Sequence, residues 1–206
     1  MLARRQTNGR GRRGAAWFSP PGESLAFSIL LRPEEPKAFW PRLALAAGLS
    51  VAEAIEERVP IVGIKWPNDI IVGGKKVAGI LVEAGQDFAI VGIGINVNAK
   101  SFPPPVSEIA TSVALEAGAD VPQPGLLSSV IKRFAARRLQ IGAGFPALLT
   151  AVRLRCTLTG NNISLIGPNG PKSGVMEGIG SSGELLLRTD SGTESLLQAD
   201  EIRVIP

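Results

Sequence analysis

Apolar and polar positions alternate along this chain in rhythms that change from segment to segment. Residues 24–31, Ser-Leu-Ala-Phe-Ser-Ile-Leu-Leu, read as a strand that the turn Pro20-Pro21-Gly22 precedes and Pro33 stops. Over residues 36–58 the period becomes helical. Phe39, Leu43, Ala47, Val51 and Ile55 recur at intervals of four, with Glu53, Glu56, Glu57 and Arg58 on the wet face. Pro41 is expected in the first turn. Three short strands follow at 62–66, 70–72 and 77–83, the last two joined by Gly73-Gly74 as a two-residue hairpin turn. Residues 88–97 are rich in β-branched side chains and read as a central strand. Residues 101–105 read as loop. Residues 111–118 predict a short helix, capped by Thr111 and ended by Gly118. A longer helix is predicted over 125–140, with Leu127, Val130, Ile131 and Phe134 as its buried stripe. Lys132, Arg133, Arg137 and Arg138 then form a solvated face. Another helix is predicted over 145–154.

Beyond residue 155 the rhythm shortens again. Strands are predicted at 162–167, 174–179, 184–188, 194–198 and 202–205, with turn signals at Asn169-Gly170 and Asp190-Ser191-Gly192. Short strands at this spacing suggest a small barrel. The expected organisation is a first domain over 1–154 and a small β domain over 155–206.

Composition narrows the chemistry. Hydrophobic residues make up 45% of the 206, enough for a sizeable core, and aromatics only 5%, so that core is mostly aliphatic. The net charge is +4, but the excess is local: Arg4, Arg5, Arg10, Arg12 and Arg13, then Lys75 and Lys76. Clusters this short favour an anionic ligand over an extended nucleic-acid surface. Cys156 is the single cysteine, so no intrachain disulfide forms, as is usual for a reducing cytoplasm. There is no histidine, which argues against a Ser-His-Asp hydrolase and against a zinc enzyme. No apolar run reads as long enough to span a bilayer, and Met1-Leu2-Ala3-Arg4-Arg5 lacks the apolar segment of a secretory signal.

Four stretches carry candidate chemistry. Gln6-Thr7-Asn8-Gly9-Arg10-Gly11-Arg12-Arg13-Gly14, with Trp17 just beyond, alternates glycines that allow close backbone approach with permanently charged planar donors. It reads either as a loop that closes over an anion or as a basic RNA-binding arm. Lys65-Trp66-Pro67-Asn68-Asp69 ends a strand. Pro67 breaks the pairing there and frees Asn68 and Asp69 to hold Mg²⁺ or polar ligand groups; the alternative is a plain polar turn. Lys76 heads the apolar run Val77-Ala78-Gly79-Ile80-Leu81-Val82-Glu83, which draws its stem inward and keeps its ammonium at the mouth. The alternative is an edge lysine that discourages aggregation. Gly92-Ile93-Gly94-Ile95-Asn96 places two glycines in a buried strand, so a ligand or a crowded neighbour should lie against them.

In this order and spacing the four stretches resemble the biotin protein ligases, also called biotin–[acetyl-CoA-carboxylase] ligases, over nearly the whole chain. The resemblance implies an α+β fold: a mixed β-sheet packed with helices, plus a small C-terminal SH3-like β-barrel. It implies that biotin is activated with ATP and Mg²⁺ to biotinyl-5′-AMP, and that the biotinyl group passes to a lysine of a carboxylase biotin carrier domain. It gives Lys76 and Arg12 catalytic roles. Gln6, Arg10, Gly11, Arg12, Lys76 and Gly79 would bind biotin. Arg13, Trp66, Asn68, Asp69 and Asn96 would bind ATP, with Asn68 or Asp69 on the metal. Family members usually carry a strand and a helix before the glutamine, including a Ser-Thr-Asn segment that holds the biotin ureido ring, so this chain is expected to be short at its N-terminus. Ala15 stands where many relatives have another basic residue. No helix-turn-helix and no membrane contact are expected, and the state is monomer or homodimer. The alternatives are a lipoate-type ligase of the same fold, or an inactive domain that binds ligand or carrier.

Overall fold

The fold is that of a computed structural model, which describes residues 1–4 and 6–206; Arg5 and the side chain of Arg13 lie outside the described residues. A six-stranded sheet is built from β1 (Leu2–Ala3), β2 (Ser24–Leu31), β3 (Gly63–Lys65), β4 (Asp69–Val72), β5 (Lys75–Ala84) and β6 (Ala89–Asn96), in the order β1-β2-β6-β5-β4-β3. Among the described residues its ladders are antiparallel, and parallel contact is confined to the isolated bridges Ile64–Cys156 and Lys76–Ala110. Gly73 and Gly74 both hold positive φ, as a tight two-residue hairpin between β4 and β5 requires.

One face of this sheet is covered by α1 (Arg42–Ile55). Most of α1 is buried, not only the predicted stripe, because it lies between the sheet and two further helices, α3 (Gln123–Arg137) and α4 (Phe145–Arg153). Ala46, Ala47, Ala52 and Ala54 keep α1 slim. A Cβ at Gly48 would already touch the side chains of Ile70 and Ile80, so α1 rests directly on β4 and β5. The helix is shorter than the predicted 36–58. Pro36 and Pro41 confine the entry to a 3-10 turn, Lys37–Phe39, and Pro41 becomes the N-cap. The segment Lys37–Ile55, with mean hydropathy 1.2, does have the length and apolarity of a membrane span, contrary to the sequence reading. In the fold its apolar side chains are spent on the interior.

Two details of the helices differ from expectation. The N-cap of α2 (Val113–Ala117) is Ser112, whose hydroxyl accepts from the Leu115 amide; Thr111 instead donates to Glu116 at 2.6 Å. On α3 the inward stripe is Leu126, Val130 and Phe134, spaced by four. Ile131, one residue and about 100° round the helix from Val130, is 44% exposed. Arg133 and Arg137 are not merely solvated. They reach Glu57 at 3.0 Å and Glu53 at 2.5 Å, riveting α3 to α1.

The C-terminal strands β7 (Asn162–Gly167), β8 (Gly170–Ile179), β9 (Leu185–Thr189), β10 (Gly192–Leu196) and β11 (Asp200–Val204) pair antiparallel in the order β10-β9-β8-β7-β11. The last strand returns to the first, an arrangement that fits the expected SH3-like unit. This sheet is fastened to the rest by Trp66, which is 2% exposed and donates its indole N–H to the Gly183 carbonyl at 2.9 Å. The Arg155–Glu56 pair, two-pronged at 2.8 and 2.9 Å, adds a second tie.

Candidate active site

The face of the large sheet opposite α1 is the floor of a cleft of about 1000 Å³. Strand register explains the floor. Ala26 on β2 lies opposite Gly94 on β6, Gly94 opposite Gly79 on β5, Gly79 opposite Asp69 on β4, and Asp69 opposite Lys65 on β3. Directly opposed residues share a face, so this row runs from three small residues to a carboxylate and an ammonium. The small end is a shallow apolar slot. Trp17 lies on it: a Cβ at Gly94 would stand 2.5 Å from the indole Cε2, and one at Gly79 would stand 3.3 Å from Cζ3. The indole Nε1 of Trp17 is buried and has no hydrogen-bond partner.

Lys76 reaches this face through a break in the pairing. Ile70 opposes Ala78 but Ile71 opposes Lys76, so Val77 is an extra residue on β5. Such a bulge shifts the alternation by one. Val77 and Ala78 are then both buried, and Lys76 joins Gly79 and Leu81 on the cleft side. Its ammonium lies 2.7 Å from Asp69 Oδ1 and 5.6 Å from the centre of the Trp17 ring. The Asp69 contact is an ion pair by distance. Oδ1 is otherwise without a directed hydrogen bond, so the pair is held by charge more than by alignment.

The Gly/Arg loop lines the cleft as a small hairpin. The Gly11 amide donates to the Ala15 carbonyl at 2.6 Å, the Trp17 amide donates to Gly9 at 2.9 Å, and Arg10 bridges Ala16. The loop is thus folded backbone at the cleft, not an extended arm. Gln6, Arg10, Gly11 and Arg12 all line the cavity. The Arg12 guanidinium donates from Nη1 to Asn68 Oδ1 (3.3 Å) and to the Ala199 carbonyl (3.1 Å), and its Nη2 lies 3.2 Å from Asp200 Oδ1.

Of the residues singled out in the sequence, Gln6, Arg10, Gly11, Arg12, Trp66, Asn68, Asp69, Lys76 and Gly79 meet at this cleft. Asn96 does not. It is buried at the end of β6 and donates its amide to the Thr111 carbonyl at 3.0 Å. The Arg13 side chain is outside the described residues. Asn68 has both ends of its amide engaged, Oδ1 by Arg12 and Nδ2 by the Ile80 carbonyl. Asp69 faces Lys76. Among the described residues no group of three or more carboxylates or thiols gathers to hold a metal.

Two features were given no site role from sequence, although Lys65 stood in a quoted stretch. One is Lys65: burial lowers its pKa, and Lys76 and Arg203 add to that while Asp69 opposes it. Strand alternation from Asp69 through the β3–β4 pairing would have found it. The other is the wall supplied by Asp200, Ile202 and Arg203 at β11. These residues come from the far end of the chain, and nothing local marks them.

A β-sheet backed by helices, with a glycine-floored cleft rimmed by a Gly/Arg loop and a strand-head lysine, defines the biotin/lipoate ligase class. The sequence model of the Biotin/lipoate A/B protein ligase family matches residues 1–98. The bifunctional ligase/repressor BirA of Bacillus subtilis is 37% identical over 97% of this chain, which spans 64% of that relative's length. The biotin–[acetyl-CoA-carboxylase] ligase of Mycobacterium tuberculosis is 31% identical, with 99% of this chain and 78% of the relative covered. The biotin protein ligase of Aquifex aeolicus, solved in complex with biotin and ATP, superposes with a TM-score of 0.90 at 35% identity, covering 99% of this chain and 88% of that one. The chain belongs to the biotin protein ligase family.

Proposed function

We propose that this chain activates biotin with ATP and transfers the biotinyl group to one lysine of a carboxylase biotin carrier domain. The observation that carries the reading is that Arg12 and Lys76 line one glycine-floored cleft, held there by the consecutive residues Asn68 and Asp69. In the first step a biotin carboxylate oxygen attacks the α-phosphorus of ATP. The bond to pyrophosphate breaks, and biotinyl-5′-AMP forms. In the second step the carrier lysine amine attacks the acyl carbon and AMP leaves with the bonding electrons.

The nucleophile of the first step is already an anion, so no histidine is needed. The barrier lies in bringing two negative groups together, and fixed cations lower it. Lys76 and Arg12 take that role. Gln6, Arg10 and Gly11 close over biotin, and Gly79 with Gly94 leaves room for the Trp17 indole, against which the biotin ring packs. Trp66, Asn68 and Asp69 form the nucleotide side together with Arg13. Asn96 shapes that side through the Thr111 segment, without facing the cleft itself. Asn68 or Asp69 would hold magnesium, which would supply charge neutralisation at the phosphates. The catalytic unit is residues 1–154 and the β unit is 155–206. ATP and a carboxylase carrier imply a cytoplasmic setting, with the chain a monomer or homodimer.

The test is pyrophosphate release with ATP-Mg²⁺ and either biotin or lipoate, followed by label transfer to a biotin carrier domain. Release with biotin and label on the carrier is expected. Turnover of lipoate alone would replace the reading with a lipoate-type ligase, and the absence of both would leave only a binding domain.

A further inference from the structure

An arginine has five N–H donors in one plane, arranged as an end fork and a side fork. Arg12 uses its end. Both Nη1 hydrogens are taken, by Asn68 Oδ1 at 3.3 Å and the Ala199 carbonyl at 3.1 Å, and Nη2 lies 3.2 Å from Asp200 Oδ1. Three anchors fix the plane of a group that ends a long flexible stem. What they leave is the Nε edge of the guanidinium, which can face an oxygen of a phosphate or carboxylate.

Two of the three anchors belong to the C-terminal β unit. Both are held firmly by their own surroundings. Ala199 is 1% exposed, and the Asp200 side chain is 12% exposed at the start of β11, which pairs with β7. Asp200 is the anchor with formal charge: it holds the guanidinium as an ion pair by distance, beside the two directed bonds to Asn68 and Ala199. It acts on nothing that reacts.

We propose that Asp200 is a positioning residue for Arg12, so that the C-terminal sheet aims the clasp at the adenylate and is a working half of the active site. This rests on the function proposed above. The adjoining bond, from Arg12 to the Ala199 carbonyl, joins residues 187 positions apart in the chain.

The test is the rate at which synthetic biotinyl-5′-AMP leaves the full chain, followed by stopped-flow fluorescence. Asp200→Asn keeps size and removes charge, and loss of one charge-assisted bond makes release about tenfold faster. Arg12→Ala also speeds release, and adding Asp200→Asn to it produces no further change. That double-mutant cycle separates the Arg12 pairing from Asp200's other interactions. Glu194→Gln, which breaks the Lys172 pair in the same sheet, leaves release at the wild-type rate. Asp200→Glu, with its charge retained, falls between wild type and Asp200→Asn and serves if the asparagine variant folds poorly. Wild-type release from Asp200→Asn, or effects of Asp200→Asn and Arg12→Ala that multiply independently, overturns the proposal. Failure of the wild-type chain to hold the adenylate at all overturns the function reading with it. Normal holding with an inert Asp200 overturns this inference alone.

Discussion

A methyl group at Gly94 tests whether the glycine floor is the slot that receives ligand. A Cβ there would stand 2.5 Å from Trp17 Cε2 and 2.7 Å from both Cζ2 and Nε1. Ordinary carbon contacts begin near about 3.5 Å, so the indole must lift by about 1 Å. Trp17 is half-buried and sits on a loop, so it can lift. The fold then gains as well as loses. Alanine orders the unfolded strand less expensively than glycine, by about 0.5–1 kcal/mol, against a similar loss of indole packing. Net stability should change by less than about 1 kcal/mol. A ligand packed against that indole is crowded by the same lift. Overpacking a fitted site costs about 1–3 kcal/mol, or about 5- to 150-fold in affinity. Gly92 provides the comparison, since it lies on the same strand and face two residues away. A Cβ there meets only the Leu81 carbonyl at 3.5 Å, Leu81 Cβ at 3.8 Å and Ser28 Oγ at 3.9 Å, all ordinary contacts. Calorimetric titration of both variants with biotin and with ATP should show Gly94→Ala weakened and Gly92→Ala much less affected, with similar melting temperatures. Unaltered biotin and ATP affinities in a folded Gly94→Ala protein would refute the reasoning.

Three further outcomes are expected. Lys76→Ala should lower the rate of biotinyl-AMP formation by about 10²–10³, as loss of a charge-stabilising donor does. It should cost no more than about 1 kcal/mol of stability, since its pair with Asp69 is partly exposed at 34% and 24%; a thermal melt beside the pyrophosphate assay checks both. Lys65→Met should raise stability but weaken ATP binding. The folded pKa of Lys65 lies below the unfolded 10.5, so a penalty is present at neutral pH and fades as pH rises through that window. Urea melts should therefore show the gain at pH 7 and its loss toward pH 10.5. Glu57→Gln should cost about 0.5 kcal/mol or less at neutral pH, because the bonds from Ser129 and Arg133 hold the carboxyl below its usual range. That stabilisation exists above the unfolded value of 4.5 and is lost as pH falls through the folded one, so variant and wild type should converge in acid.

How far the sequence could be read depended on the range over which each feature is decided. β2, β4, α4 and the Gly73-Gly74 turn are set by residues within one element, and their positions followed from pattern and turn chemistry alone. The Gly/Arg loop, Lys76 and the two floor glycines stood out because each breaks a local rule: charge heading an apolar strand, or missing side chains inside one. Ile131 and Thr111 were misplaced because the choice between adjacent residues is made by what packs against them. The same limit hid why Lys76 faces the cleft. Counting by two from Gly79 puts Lys76 on the buried side with Ala78 and Ile80, and only the bulge at Val77 returns it to the open face. The pairing partner β4 creates that bulge, so no count along β5 could reveal it. Arg12 poses the problem at greater distance. Its charge and neighbours were legible, but its orientation is fixed by Ala199 and Asp200, which the chain reaches after a second sheet has formed. A lysine turned by a neighbouring strand and an arginine turned by a remote one thus flank the same slot. The reactive geometry is therefore a product of the assembled sheets, and substitutions at Val77 or Asp200 should disturb it while leaving both cations in place.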